Sequence, residues 1–112
     1  MEQIEDTTLP RYVIQAHTWG GFTHFDLMFE VAGWERLRTF QLPQEPTQAA
    51  VKNGISLREI APHRRQYLDY EGPVSEGRGE VKIWDTGRIR TLQHAARLVE
   101  FELLSKQGRK HA

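Results

Sequence analysis

The chain has no cysteine, so neither a disulfide framework nor a thiolate-held metal is open to it. Any bound ion must be held by histidine, carboxylate or water. It also has no net charge: 15 basic residues balance 15 acidic ones, which removes a global field as the means of reaching a polyanion. No apolar run approaches the roughly 18 residues of a membrane-spanning helix. The opening Met1-Glu2-Gln3-Ile4-Glu5-Asp6 is acidic and lacks the basic and apolar regions of a secretory signal, so a cytoplasmic location is expected. Internal repeats and low-complexity tracts are missing. So is any Walker or dinucleotide fingerprint, since Gly77-Arg78-Gly79 lacks the strand-to-helix setting such glycines need.

What is present is an ordinary globular composition, 38% hydrophobic and 27% charged over 112 residues. That is enough for one domain with a modest core. Residues 1–10 read as an irregular arm ending at Pro10, residues 11–105 as the folded domain, and residues 106–112 as a basic, frayed tail. Strands are expected at 11–16, 22–32 (the longest), 34–42, 55–60, 80–85 and 98–104. Thr86-Gly87 reads as a turn leading into Arg88-Ile89-Arg90. Short helices are expected over Pro46–Lys52, with Asn53-Gly54 as the stop, and over Gln93–Arg97. Many short strands with frequent Gly/Pro turns imply a mostly β fold: a small antiparallel β-barrel with one or two short helices.

The most informative stretch is Gln15–Glu30, QAHTWGGFTHFDLMFE. In a strand, His24 and Asp26 project from one face together with Phe22 and Met28, while Phe25, Leu27 and Phe29 take the other. If Trp19-Gly20-Gly21 turns the chain back, His17 comes beside His24. Two imidazoles and a carboxylate on one face make an open metal site with positions left for water and substrate. Spacing alone does not separate that site from two solvated histidines at a hairpin mouth, because H-x-D pairs are common by chance.

Four segments resemble the 3′-phosphoesterase domain of bacterial DNA ligase D. They are R-Y-V-I-Q-A-H at 11–17, H-F-D-L-M-F-E-V-A-G at 24–33, H-R-R-Q-Y-L-D-Y-E-G at 63–72, and E-G-P-V-S-E-G running on to V-K-I-W-D-T-G at 87. The resemblance implies a small antiparallel barrel and a Mn²⁺-dependent site that trims DNA 3′ ends. There a terminal ribonucleoside and then the 3′-phosphate are removed, in repair or end joining beside a ligase or primase. It places His17, His24 and Asp26 on the metal ligands, Gln15 on an active-site position, and His63 and Tyr67 on the phosphate-contacting pair. Arg58, Arg64 and Arg65 are further candidates for binding the substrate, and a monomer is expected.

Two positions depart from that pattern. Where the family motif H-Y-D-x-R has arginine, this chain has Met28, and the interval from His17 to His24 is one residue longer. Losing an electrostatic donor to a phosphoryl oxygen costs about 3–4 kcal/mol of transition-state stabilisation, so weakened turnover is expected. Two other readings compete with the phosphoesterase. One is a module of the same fold that binds DNA ends or a partner without turnover. The other is an iron oxygenase in which His24-x-Asp26 joins His63 or His94 as a two-His-one-carboxylate triad.

Overall fold

The computed structural model describes residues 8–47, 50, 51, 54–94, 99–106 and 110–111. Its strands are β1 (Arg11–Trp19), β2 (Phe22–Phe29), β3 (Leu37–Leu42), β4 (Arg58–His63), β5 (Gly72–Pro73), β6 (Glu80–His94), β7 (Val99–Ser105) and β8 (Lys110–His111). They form one antiparallel sheet in the order β4-β3-β2-β1-β6-β7-β8, with β5 on the first residues of β6. Two 3₁₀ turns, Arg65–Leu68 and Ser75–Gly77, stand between β4 and β6. The fold is the mostly antiparallel β architecture expected.

The sheet is curled into a half-barrel, and its aromatic core shows why. Four strand-to-strand steps separate β3 from β7, about 19 Å in a flat sheet. Yet the Phe40 and Phe101 rings lie 6.0 Å apart, and Phe29 meets Phe101 edge-on at 5.3 Å. Burying these rings together with Tyr12, Ile14, Leu27, Leu42 and Ile89 rolls the inner face onto itself. A smaller cluster, Val13, Met28, Leu37 and Leu68, occupies the opposite face. The period-two assignment for β2 therefore holds: Phe25, Leu27 and Phe29 belong with the aromatic core and Met28 with the other side.

Several boundaries differ from the sequence expectation. Thr86-Gly87 is no turn, and β6 runs unbroken from Glu80 to His94 as the longest strand. Gly87 is there for a close approach, since a Cβ at that position would sit 2.0 Å from the Leu104 carbonyl oxygen. Gln93 and His94 belong to β6 rather than to a helix, and residues 95–97 of that expected helix lie outside the described residues. β2 stops at Phe29, and Trp34 donates its N–H to the Val31 carbonyl at 3.0 Å in the turn before β3. β4 starts and ends three residues later than expected and includes Pro62; an edge strand tolerates the missing N–H. Of the helix expected over 46–52, Ala50 and Val51 are helical and Thr47 accepts from both their N–H groups, while residues 48, 49, 52 and 53 lie outside the described residues.

Candidate metal centre and the loop above it

Gly20 and Gly21 have φ of 60° and 81°, the positive pair that a two-residue hairpin of the favoured twist demands. The hairpin they close pairs Trp19 with Phe22, Thr18 with Thr23, His17 with His24 and Gln15 with Asp26. Paired residues share a face, so His17, Gln15, His24 and Asp26 project together from the side opposite the aromatic core. The His17 and His24 rings meet edge-on at 4.8 Å. One donor atom from each of His17, His24 and Asp26 falls within 4.8 Å of the others. Ligands about 2.1 Å from one ion stand about 3 Å apart in cis and about 4.2 Å apart in trans. Only a slight side-chain movement would bring all three onto a single ion.

Three further observations fit a cation. Asp26 is 4% exposed, and its Oδ1 is buried with no hydrogen-bond partner. A buried carboxylate oxygen left unmatched is costly unless a positive charge answers it. His17 Nε2 lies 2.7 Å from the Arg78 carbonyl oxygen. That oxygen can only accept, so Nε2 carries the proton and Nδ1 keeps its lone pair. A ligand imidazole oriented through its other nitrogen is the usual arrangement around a metal. His24 Nε2 and Asp26 Oδ2 are 3.3 Å apart, hydrogen-bonded to each other and close enough to share one ion.

The segment from His63 to Pro73 lies across this face, fastened by contacts that leave no local trace in the sequence. Buried Gln15 donates from Nε2 to the carbonyl oxygens of Tyr67 at 3.0 Å and Tyr70 at 2.9 Å. Arg11 pairs with Asp69 at 2.6 Å, and Arg65 with Glu30 at 2.9 Å. Glu71 accepts the Ile83 N–H at 2.7 Å, and Leu68 plugs into Val13, Met28 and Leu37. Tyr70 donates its hydroxyl to the Pro73 carbonyl. Only period and local spacing are visible in a sequence, whereas each of these partners lies more than ten residues away, Tyr70–Pro73 apart.

His63 and Tyr67 meet at 5.9 Å between ring centroids, and His63 donates Nδ1–H to the Ala61 carbonyl at 2.9 Å. His63 is paired with Leu37, at the end of the face away from Asp26. The converging triad accordingly takes His17 and does not include His63, while the His94 side chain lies outside the described residues. Residues 15–111 match the family model of the DNA Ligase D 3′-phosphoesterase domain. The chain belongs to that family. No curated protein matches it.

Within the 3′-phosphoesterase family, the position of most interest is Met28. It is fully buried beneath the 3₁₀ turn, so the apolar cluster occupies the place where the motif has a cation. Arg65 is bonded to Glu30 and the Trp34 carbonyl, and Arg38 to Glu59. Arg58 is exposed and faces the site, through the register Asp26–Gln41–Arg58. Among the described residues neither Arg58 nor Arg64 has an ion-pair partner. No helix is long and apolar enough to cross a membrane among the described residues.

Proposed function

We propose that this chain is a metal-dependent phosphoesterase acting on DNA 3′ ends, with a terminal 3′-phosphate or 3′-ribonucleoside as its substrate. The convergence of His17, His24 and Asp26 carries the proposal, because an unmatched buried carboxylate oxygen at its centre suits a divalent cation. Imidazole and carboxylate donors suit Mn²⁺, and Zn²⁺ or Fe²⁺ would accept the same set. When bound, such an ion polarises a phosphoryl oxygen and acidifies a water.

The chain's own residues supply the rest. His17, fixed by the Arg78 carbonyl, and His24 present lone pairs, and Asp26 supplies the negative charge. Gln15 acts by holding the Tyr67–Tyr70 turn over the sheet. His63 and Tyr67, whose rings meet at 5.9 Å, would hydrogen-bond phosphate where the DNA end extends from the triad along the face. Arg58 takes the cationic role that Met28 vacates, since it faces the site and has no carboxylate committed to it among the described residues.

Phosphate release from a 3′-phosphorylated primer–template, dependent on added Mn²⁺ and lost in His24→Ala, is the expected result. A metal-loaded protein that releases none would end the proposal. Burial of Met28 supports a second reading, a DNA-end-binding module without turnover. That module would bind the same primer–template without metal and be indifferent to His24→Ala.

A further inference from the structure

The tip of the β1–β2 hairpin carries two aromatic side chains that no role described so far uses. Trp19 is 56% and Phe22 82% exposed. They form the last pair of the hairpin. By alternation, Trp19 shares the face of His17 and Phe22 that of His24. Both therefore stand on the metal-site face, two residues or about 7 Å beyond the paired histidines.

Mutual packing does not explain the two rings. A cross-strand aromatic pair that stabilised the hairpin would cover its own surfaces. Here neither ring contacts the other, or any third ring, among the described residues. The support beneath them is firm, however. Gly79 approaches so closely that a Cβ there would sit 1.9 Å from the Thr18 carbonyl oxygen and 2.9 Å from Trp19 Cβ. Thr18 and Thr23 hydroxyls bond across the opposite face at 3.0 Å. The tip is thus a braced platform with two unused π-faces.

We infer that Trp19 and Phe22 stack the nucleobase of the terminal nucleotide whose 3′-phosphate lies at the triad. This rests on the phosphoesterase proposal and adds a base-binding subsite to it. The spacing suits one nucleotide, because a terminal phosphate and its own base are separated by about the same distance as the triad and the rings. Every base has a π-face, so the platform accepts any sequence, and it requires the end to be single-stranded or frayed. The subsite also offers a source of affinity that a chain with zero net charge does not gain from its overall field.

The test measures binding of 3′-phosphorylated single-stranded oligonucleotides by fluorescence anisotropy, comparing a normal terminal nucleotide with an abasic one. One stacked base is expected to give the unmodified protein about a tenfold preference for the base-bearing end. Trp19→Leu and Phe22→Leu, which keep the apolar surface and remove the ring, should bring that ratio toward one, whereas Trp19→Tyr should retain it. A wild-type protein with no preference, or no detectable binding, overturns the inference, as does a Leu variant that keeps the full ratio. Sedimentation of the same proteins checks the other occupant: a dimer that dissociates in Trp19→Leu would assign the rings to a second copy and refute the stacking role. Because the readout is binding, a chain that binds with base preference and releases no phosphate would sink the phosphoesterase proposal and leave the subsite standing.

Discussion

The two ends of the site face differ in what they do with polarity. Around His17, His24 and Asp26 the polar atoms outnumber their protein partners, and a buried carboxylate oxygen is left unmatched. Around Met28 the same strand pair is closed with hydrocarbon, as Val13, Leu37 and Leu68 surround a side chain with no exposure. One end leaves a buried polar atom unanswered and the other holds a loop in place. A single chain can therefore keep the donors for an ion while using a neighbouring position for packing. Retention of one half of a motif says little about the other half.

The sharpest way to break this contrast is at the end that holds His17, His24 and Asp26. His24→Ala or Asp26→Ala should lower metal-dependent phosphate release by about 10²–10³-fold, the usual loss when one electrostatic group is removed from such a site. Binding of Mn²⁺ alone gives a readout separate from turnover. At about a hundred times its dissociation constant the ion should stabilise the fold by about 2.7 kcal/mol, seen as a rise in Tm. That rise should vanish in His24→Ala; a rise of the same size in the variant would place the ion elsewhere.

At the packed end the largest effect should come from Met28→Arg. Restoring the motif residue looks from sequence like a route to higher activity. The fold turns that expectation round, because a guanidinium at this position would break the packing of Val13, Leu37 and Leu68, with the Thr39 hydroxyl, already donated to the Leu37 carbonyl, as its polar cross-strand neighbour. An uncompensated buried charge costs about 3–5 kcal/mol, so the urea midpoint should fall sharply while phosphate release does not rise. Met28→Leu, which preserves volume, should cost less than about 1.5 kcal/mol. If Met28→Arg proved as stable as the parent, the loop would have to open to let the charge out, and the packing role assigned to this end would be lost.

The contrast between these two residues also marks what was legible in the sequence. Strand alternation put His24 and Asp26 on one face, and the Gly20-Gly21 pair gave the hairpin that brings His17 to them. Both signals are local, set by side-chain period and by φ preference. Thr86-Gly87 misled for the same reason: the dipeptide has turn chemistry, but its glycine answers the carbonyl of Leu104 on another strand. Met28 was visible as a missing cation and invisible as a core residue, since its burial depends on Leu68, forty positions on. Gln15 matches an active-site position of the family, and its side chain is committed to carbonyls 52 and 55 residues away. That partnership has no local trace.

Gln15 gives the next, smaller effect. Gln15→Leu removes two hydrogen bonds from half-buried carbonyl oxygens, a cost of about 1–3 kcal/mol. The loss should be concentrated in the Tyr67–Tyr70 turn. Amide exchange should accelerate there and much less in β1 and β2, and the KM for a 3′-phosphorylated end should rise through the loosened His63–Tyr67 pair. Uniform acceleration across the sheet would instead make Gln15 a global core residue with no special tie to the loop.

The smallest effect belongs to Glu30, which fastens the outer side of the same loop to the end of β2. Its two oxygens accept from the Arg11 backbone N–H at 2.8 Å and from Arg65 Nη1 at 2.9 Å. Burial by itself pushes the carboxyl up. The Arg11 N–H, the Arg65 hydrogen bond and the two guanidinium charges together outweigh it and hold the group below its ordinary 4.5. A carboxyl depressed in the folded state contributes stability above its unfolded value, and that contribution disappears as pH falls through the folded value. Glu30→Gln should therefore cost no more than about 1 kcal/mol near neutrality, because the ion pair is partly exposed and screened. The gap between variant and parent should narrow as the solution is acidified below 4.5, and added salt should narrow it at neutral pH as well. A gap that held constant through the acid range would mean that Glu30 works through shape alone, and its charge would then have no part in seating the loop.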